Sequence, residues 1–159
     1  MDEQQQQRHA LALELKARAE RVEHALTQAI DGQDATEKRA LLGQALEDIV
    51  ALEALAEAHP DIQLPPLPRI RQGMAGLALM LYQQGACDGL SESQQHAFLD
   101  AHAAPLTAVD GIGTVTARRL LLAGVTSVEA LRGLSREQLE AIPGITNATL
   151  ARLQAGLSQ

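Results

Sequence analysis

The stretch Leu106–Leu120, LTAVDGIGTVTARRL, recurs 33 positions later as Leu139–Leu153, LEAIPGITNATLARL. Seven of the fifteen aligned residues are identical, and Val109 and Ile142 form a conservative eighth pair. Each copy contains an apolar residue, any residue, a glycine and a second apolar residue, followed by apolar residues at helical spacing. The repeat therefore predicts a small helical module that is built twice.

The shared glycines, Gly111 and Gly144, predict a tight hairpin between two short helices in each copy. Glycine adopts a positive φ angle without a Cβ clash, and the flanking apolar residues bury the elbow. The helix after each hairpin begins with N–H groups that lack intrahelical partners and lie at the positive end of the helix dipole. Such a helix end binds anions such as phosphate. The repeat thus indicates nucleic acid as a ligand.

The segments 109–113, VDGIG, and 142–146, IPGIT, resemble the helix-hairpin-helix motif. Residues of about 105–157 are similar to the tandem helix-hairpin-helix domains of DNA repair and recombination proteins. The spacer contains a helix stop at Gly124 and capping-box patterns at Thr126–Glu129 and Ser135–Gln138. Together with the resemblance, these signals imply a domain of five short helices.

The resemblance implies that backbone groups of both hairpins hold DNA phosphates without reading base sequence. By position, these contacts fall on Gly111, Gly113, Thr114, Val115, Gly144, Thr146, Asn147 and Ala148. Supplementary phosphate contacts are assigned to Arg118, Arg119 and Arg152, of which the last two are equivalent in the repeat. The alternative is that these arginines are solvated and cover apolar surface, and that the glycines serve only the fold. No cofactor is expected, although hairpins of this family can hold a monovalent cation through backbone carbonyls.

The chain departs from the family pattern in two ways. Thr146 replaces the second glycine of the second hairpin, and neither hairpin is followed by Lys or Arg. Residues 104–159 contain five Arg and four acidic side chains, whereas strong duplex binding usually requires a larger basic excess. These departures predict weak DNA binding and leave a protein-docking role open.

Residues 1–103 are acidic, with 16 acidic and 8 basic side chains. This change of composition near residue 103 predicts two domains, a helical domain of residues 1–103 and the tandem domain of residues 104–159. Apolar residues at helical spacing indicate a first helix over about residues 5–30 and a second over about residues 34–59, joined as an antiparallel hairpin. The first apolar stripe is Leu11, Leu15, Val22, Leu26 and Ile30. The second is Leu42, Ala45, Leu46, Ile49, Leu52 and Ala56.

Prolines predict that Pro60–Pro68 is a stiff, non-helical connector. A third helix then runs from Ile70 to a stop at Gly85, and Ser91 opens a fourth helix in which Phe98 belongs to the core. The expected fold is therefore all-α, an amino-terminal helical hairpin or bundle followed by the tandem domain.

Several function classes are disfavoured by composition. Tyr82 and Phe98 are the only aromatic residues, so base stacking on aromatic platforms is not expected. One cysteine, no secretory signal and no membrane-length apolar run together favour a cytoplasmic protein. The five histidines are spaced as surface residues rather than metal ligands, and no catalytic motif stands out, so an enzyme is not expected.

Two functions remain open at this point. One is a non-catalytic, sequence-independent DNA-binding accessory protein that holds phosphates with both hairpins. The other is a protein-interaction adaptor whose hairpin domain docks a protein instead of DNA, which the net charge of −7 favours. In either case the long amino-terminal helices offer a seam for homodimerisation or for a partner protein.

Overall fold

The protein is described by a computed structural model that covers residues 2–32, 34–61 and 67–158. Within these ranges it contains eight α-helices, one 3₁₀ helix and no β-strand, which confirms the all-α fold. The helices are α1 (Glu3–Asp31), α2 (Ala35–Ala58), α3 (Leu67–Gln83), α4 (Glu92–Ala103), a 3₁₀ helix (Ala104–Ala108), α5 (Thr114–Leu122), α6 (Val128–Arg132), α7 (Arg136–Glu140) and α8 (Asn147–Leu157). None of the helices in the described ranges is long and apolar enough to span a membrane.

The chain divides into two compact units, and the division falls within α3, between Met74 and Ala75. The change from an acidic to a nearly balanced charge composition predicts the boundary later, at residue 103. The difference arises from α4, which is acidic like the preceding chain but packs on α5. Its residues Leu99 and Ala103 are buried in the same apolar cluster as Leu120 of α5.

The first unit is built on the α1–α2 hairpin. Asp2 and Asp34 cap the two helices by accepting hydrogen bonds from the amides of Gln5 and Thr36. The buried residues are Leu15, Val22, Ala25 and Ala29 on α1 and Leu42, Ala45, Ile49 and Leu52 on α2. The predicted place of Ile30 in the α1 stripe is wrong, because that side chain is 65% exposed. A helix turns about 100° per residue, so the buried stripe that continues through Ala25 and Ala29 turns Ile30 outward.

Helix α3 begins earlier than the prolines predict. Leu67 and Pro68 are helical, which corrects the prediction of a non-helical connector for these two residues. Proline is compatible with the first helical turn because amides there have no intrahelical acceptor. Residues 62–66 of the predicted connector lie outside the described residues.

The predicted stop of α3 at Gly85 is confirmed. Gly85 has a φ of +89°, and its amide donates to the carbonyl of Tyr82 over 3.1 Å. The following amide, that of Ala86, donates to the carbonyl of Leu81 over 3.0 Å. This pair of bonds is the Schellman arrangement that satisfies the last carbonyl groups of a helix.

The second unit has one apolar core that joins α4 to the repeat. Its buried members are Ala75, Leu99, Ala103, Leu106, Val109, Ile112, Ala117, Leu120, Leu121, Val125, Leu131, Leu139, Ile142, Leu150 and Leu153. Phe98 packs against this core as predicted. His102 is also buried, 5.2 Å from Phe98 between ring centroids, so its predicted position on a solvated face is wrong. The two residues are four apart, which places both on the face of α4 that meets the core.

The predicted helix caps and stops in and before the tandem domain are confirmed with one exception. Ser91 and Ser135 form complete capping boxes at α4 and α7, and Gly124 ends α5 with a φ of +97°. The cap of α6 is Ser127, which accepts from the amide of Ala130, so the predicted Thr126 box is wrong. Where the sequence predicts five short helices, the described residues 104–157 hold four α-helices and one 3₁₀ helix.

Candidate nucleic-acid interface

The two hairpins have the same hydrogen bonds, offset by 33 residues. In the first, the amide of Val109 donates to Leu106 and that of Ile112 donates to Val109. In the second, the amide of Ile142 donates to Leu139 and that of Ile145 donates to Ile142. The glycines at the third position of each turn have φ angles of +90° (Gly111) and +85° (Gly144). Positive φ at this position is characteristic of a type II turn.

The first hairpin leads into α5 through Gly113, which places an open helix end at the surface. Gly113 is the N-cap residue, with a φ of −89° and no side chain to bond the helix amides. Within the described part of the chain, the amides of Thr114, Val115 and Thr116 have no hydrogen-bond acceptor. A Cβ built on Gly113 would meet no atom within 4 Å. This helix end is therefore accessible to an anion.

The second hairpin differs at the equivalent helix end. Thr146 caps α8, and its hydroxyl accepts from the amide of Thr149 over 3.2 Å. The two hydroxyl groups also lie 3.0 Å apart. The amides of Asn147 and Ala148 have no acceptor among the residues that the structure describes. The second helix end thus presents fewer free donors than the first.

Each hairpin glycine lies against the arginine of the other copy. A Cβ on Gly111 would come within 3.1 Å of both the Cβ and the carbonyl oxygen of Arg152. A Cβ on Gly144 would come within 2.7 to 2.9 Å of the Nε, Cδ and Cζ atoms of Arg119. The structure therefore brings the predicted glycines and these two predicted arginines together in a reciprocal pair of contacts.

The guanidinium groups of the two arginines have different partners. Nη1 of Arg119 donates to the carbonyl oxygen of Gly144 over 3.0 Å. Nη2 of Arg152 donates to the hydroxyl of Thr149 over 3.3 Å. A monovalent cation at the second hairpin would compete with Arg119 for the Gly144 carbonyl. Among the described residues, no three His, Cys, Asp or Glu side chains are grouped so that they could hold a metal ion.

Arg118 differs from the other predicted contacts because it is largely buried and paired with a carboxylate. Its Nη1 is 3.5 Å from Oδ2 of Asp100 in α4, and its side chain is only 15% exposed. The remaining predicted residues, Gly111, Gly113, Thr114, Val115, Arg119, Gly144, Thr146, Asn147, Ala148 and Arg152, are exposed. The ion pair with Asp100 therefore competes with any phosphate for the Arg118 guanidinium.

Two residues at the hairpins were not among the predicted site residues. Asp110 is an exposed carboxylate in the first turn, where the second turn has Pro143. Gly156 of α8 packs against the carbonyl group of Asp110 and the side chain of Val109. The sequence does contain a signal for this contact, because Gly156 is equivalent to Ala123 in the repeat and both are small.

The exposed face of α5 also carries apolar side chains. Val115 is 49% exposed and Leu122 is 41% exposed. A shallow pocket beside the second hairpin is lined by Arg119, Leu122, Ala123, Pro143 and Gly144. The hairpin surface thus combines free backbone amides, arginine side chains and apolar groups.

Comparison with known proteins agrees with this geometry. Residues 103–159 match the family model described as the SAM-like helix-hairpin-helix tandem. Searches of the curated proteins and of the solved structures found no match to the chain. A domain of this type supports nucleic-acid binding or protein interaction as the general function. Residues 103–159 are therefore a tandem helix-hairpin-helix domain.

Proposed function

We propose that the protein is a non-catalytic, sequence-independent DNA-binding accessory protein that acts in repair or recombination. Its two hairpins hold phosphate groups of one or both strands across a minor groove. The first hairpin and α5 supply the main anion site, and the second hairpin supplies a weaker one. We assign it to the cytoplasm.

The observation that carries this proposal is the open helix end at Gly113. Three consecutive amides, those of residues 114–116, lack acceptors within the described ranges, and no side chain caps them by a hydrogen bond there. A phosphate oxygen accepts such N–H groups while the helix dipole stabilises its negative charge. Because these donors belong to the backbone and contact phosphate, they position DNA without reading its bases.

The charge distribution limits the strength of binding. Of the five arginines of the domain, Arg118 and Arg136 lie within 3.5 Å of a carboxylate, those of Asp100 and Glu140. We therefore expect weak affinity because few phosphates are neutralised, and we expect this affinity to fall with salt because the interaction is electrostatic. The acidic amino-terminal helices recruit a partner or dimerise, and two linked weak modules gain affinity through effective concentration.

The second candidate function is a protein-docking adaptor. It is favoured by the exposed apolar side chains of Val115 and Leu122 on α5, and by the carboxylate of Asp110 in the first hairpin. Exposed apolar groups add affinity for a protein surface, whereas a carboxylate repels a phosphate. DNA remains our first proposal because the uncapped amides at Gly113 suit an anionic ligand.

Fluorescence anisotropy with the full chain tests the proposed function. Labelled duplex, single-stranded and branched DNA of several sequences are titrated at about 50 and 200 mM salt. We expect binding that is independent of sequence and much weaker at the higher salt. Failure to bind any of these DNAs at low salt would contradict the proposal and favour the adaptor.

A further inference from the structure

We propose that the two equivalent arginines of the repeat have different functions. Arg119 is a positioning residue that holds the second hairpin in place, whereas Arg152 supplies the movable positive charge that contacts a phosphate. The assignment of Arg152 rests on the proposed DNA-binding function. The assignment of Arg119 concerns the protein alone and does not depend on DNA.

The contacts of Arg119 account for its positioning role. Its guanidinium donates a charge-assisted hydrogen bond to the carbonyl of Gly144. The Nε, Cδ and Cζ atoms cover the side of Gly144 where a Cβ would project. Arg119 thereby fixes the turn of the second hairpin to α5. The bond to the turn fixes where the other N–H groups of this guanidinium lie, so Arg119 is less free than Arg152 to follow a phosphate.

Arg152 contacts the first hairpin in another way. The atoms of Arg152 nearest to a Cβ on Gly111 belong to its Cβ and carbonyl group, and its guanidinium makes no hydrogen bond to that turn among the described residues. The guanidinium bonds a neutral hydroxyl, that of Thr149, at 3.3 Å and on its own helix. A long hydrogen bond to a neutral group is readily exchanged for a bond to a charged phosphate.

The two copies also differ in the small residue that faces each hairpin. The first hairpin is held by backbone packing, because Gly156 allows α8 to touch the carbonyl group of Asp110. The equivalent residue beside the second hairpin is Ala123, which carries a Cβ where Gly156 has none. A pocket remains there, and Arg119 is one of its lining residues together with Pro143 and Gly144. Arg119 thus lines the second hairpin with its side chain, whereas Gly156 contacts the first hairpin through the backbone.

The first test needs no DNA. Amide hydrogen exchange is measured by NMR for the full chain and for Arg119→Gln, Arg119→Lys and Arg152→Gln. We expect the Ile145 amide, which bonds Ile142 across the second turn, to exchange about three- to tenfold faster in both Arg119 variants. Lysine keeps the charge but lacks the planar fork, so it does not restore the contact. The Ile112 amide of the first turn is expected to remain unchanged in all three variants.

The second test measures the salt dependence of duplex binding for the same full-length variants. We expect Arg152→Gln to reduce the slope of log K against log salt by about 0.9, the loss of one phosphate contact. Arg119→Gln lowers affinity but leaves the slope unchanged. Arg132→Gln, which removes the same charge outside both hairpins, serves as the matched control and changes neither quantity.

Three results would overturn the inference or one of its two assignments. Unchanged Ile145 exchange in the Arg119 variants would show that Arg119 holds nothing in place. Equal losses of slope in Arg119→Gln and Arg152→Gln would show that both contact phosphate. If the unmodified chain binds no DNA, the proposed function and the Arg152 assignment fail together, and the exchange measurement still decides the assignment of Arg119.

Discussion

Gly156 of α8 lies directly against the carbonyl oxygen of Asp110 in the first hairpin. A Cβ at this position would overlap that oxygen and would lie 3.0 Å from Cγ1 of Val109. The contact joins the last helix of the second copy to the turn of the first copy. A glycine inside a helix normally weakens it, so its presence here is explained by packing rather than by helix formation.

This contact predicts that Gly156→Ala destabilises the protein. A Gly→Ala change within a helix usually stabilises by up to about 1 kcal/mol. Here the added methyl meets backbone atoms, which cannot move aside, so we expect a loss of about 1–3 kcal/mol. Urea unfolding followed by circular dichroism measures the difference. The control is Gly76→Ala in α3, where a Cβ meets nothing within 4 Å and stabilisation is expected. Equal stabilisation by both variants would show that the contact with Asp110 is absent.

The fit of Arg119 over Gly144 predicts an energetic coupling between them. Gly144→Ala combines the strain of positive φ, about 1–2 kcal/mol, with displacement of the arginine. In an Arg119→Ala background only the strain remains, so the double-mutant cycle should give a coupling of about 0.5 kcal/mol or more. Gly124→Ala is the matched control, because Gly124 also has positive φ but an added Cβ meets no atom within 4 Å. Purely additive effects of Gly144→Ala and Arg119→Ala would contradict the contact.

The carboxylate of Asp110 predicts that its removal strengthens DNA binding. Asp110 is exposed in the hairpin that leads to the open end of α5. Replacing it by Asn removes the repulsion between this carboxylate and a phosphate bound at the hairpin. We expect the affinity for DNA to rise about threefold at low salt. Anisotropy titrations compare this variant with Glu129→Gln, which removes an exposed carboxylate from α6 outside the hairpins. Unchanged affinity in Asp110→Asn would place the phosphate away from the first hairpin.

The packing of α4 on α5 predicts that the tandem domain needs more chain than its sequence motif covers. A fragment of residues 104–159 loses Leu99 and Ala103 from the core and Asp100 from its pair with Arg118. Removal of one large buried apolar side chain alone costs about 2–5 kcal/mol. We therefore expect a lower melting temperature for this fragment than for residues 90–159, measured by circular dichroism. Equal melting temperatures would show that α4 does not stabilise the domain.

The sequence predicts the helices and both hairpins well because these depend on local chemistry. Gly111 and Gly144 occupy turns that require positive φ, and Ser91 and Ser135 cap the helices that follow them. Local patterns are less reliable where two adjacent residues are equally suitable. Thr126 has the capping pattern, but its neighbour Ser127 caps the helix.

Burial and side-chain direction depend on the tertiary neighbours and were predicted less well. Ile30 continues an apolar stripe in the sequence, yet the small residue Ala29 is the one buried. His102 lies four residues after Phe98 and shares its core-facing side of α4, but histidine as a residue type does not by itself predict burial. The repeat makes Arg119 and Arg152 equivalent, whereas in the structure Arg119 bonds the carbonyl of Gly144 and Arg152 bonds the hydroxyl of Thr149.

The most direct test of the DNA-binding proposal is the affinity of Gly113→Asp for a labelled duplex at about 50 mM salt, measured by anisotropy on the full chain. The φ of −89° and the open space at Gly113 accept this side chain, and Asp is a good N-cap residue that stabilises a helix by a few tenths of a kcal/mol. Its carboxylate would occupy the amides that we assign to phosphate.

The control for this measurement is Gly89→Asp, which adds the same charge at an exposed position with open space outside the hairpins. We expect Gly113→Asp to weaken binding at least tenfold without loss of stability, and Gly89→Asp to change the affinity by less than about twofold. Equal affinities for the two variants, or no binding by the unmodified chain, would contradict the assignment of the first hairpin as the phosphate site.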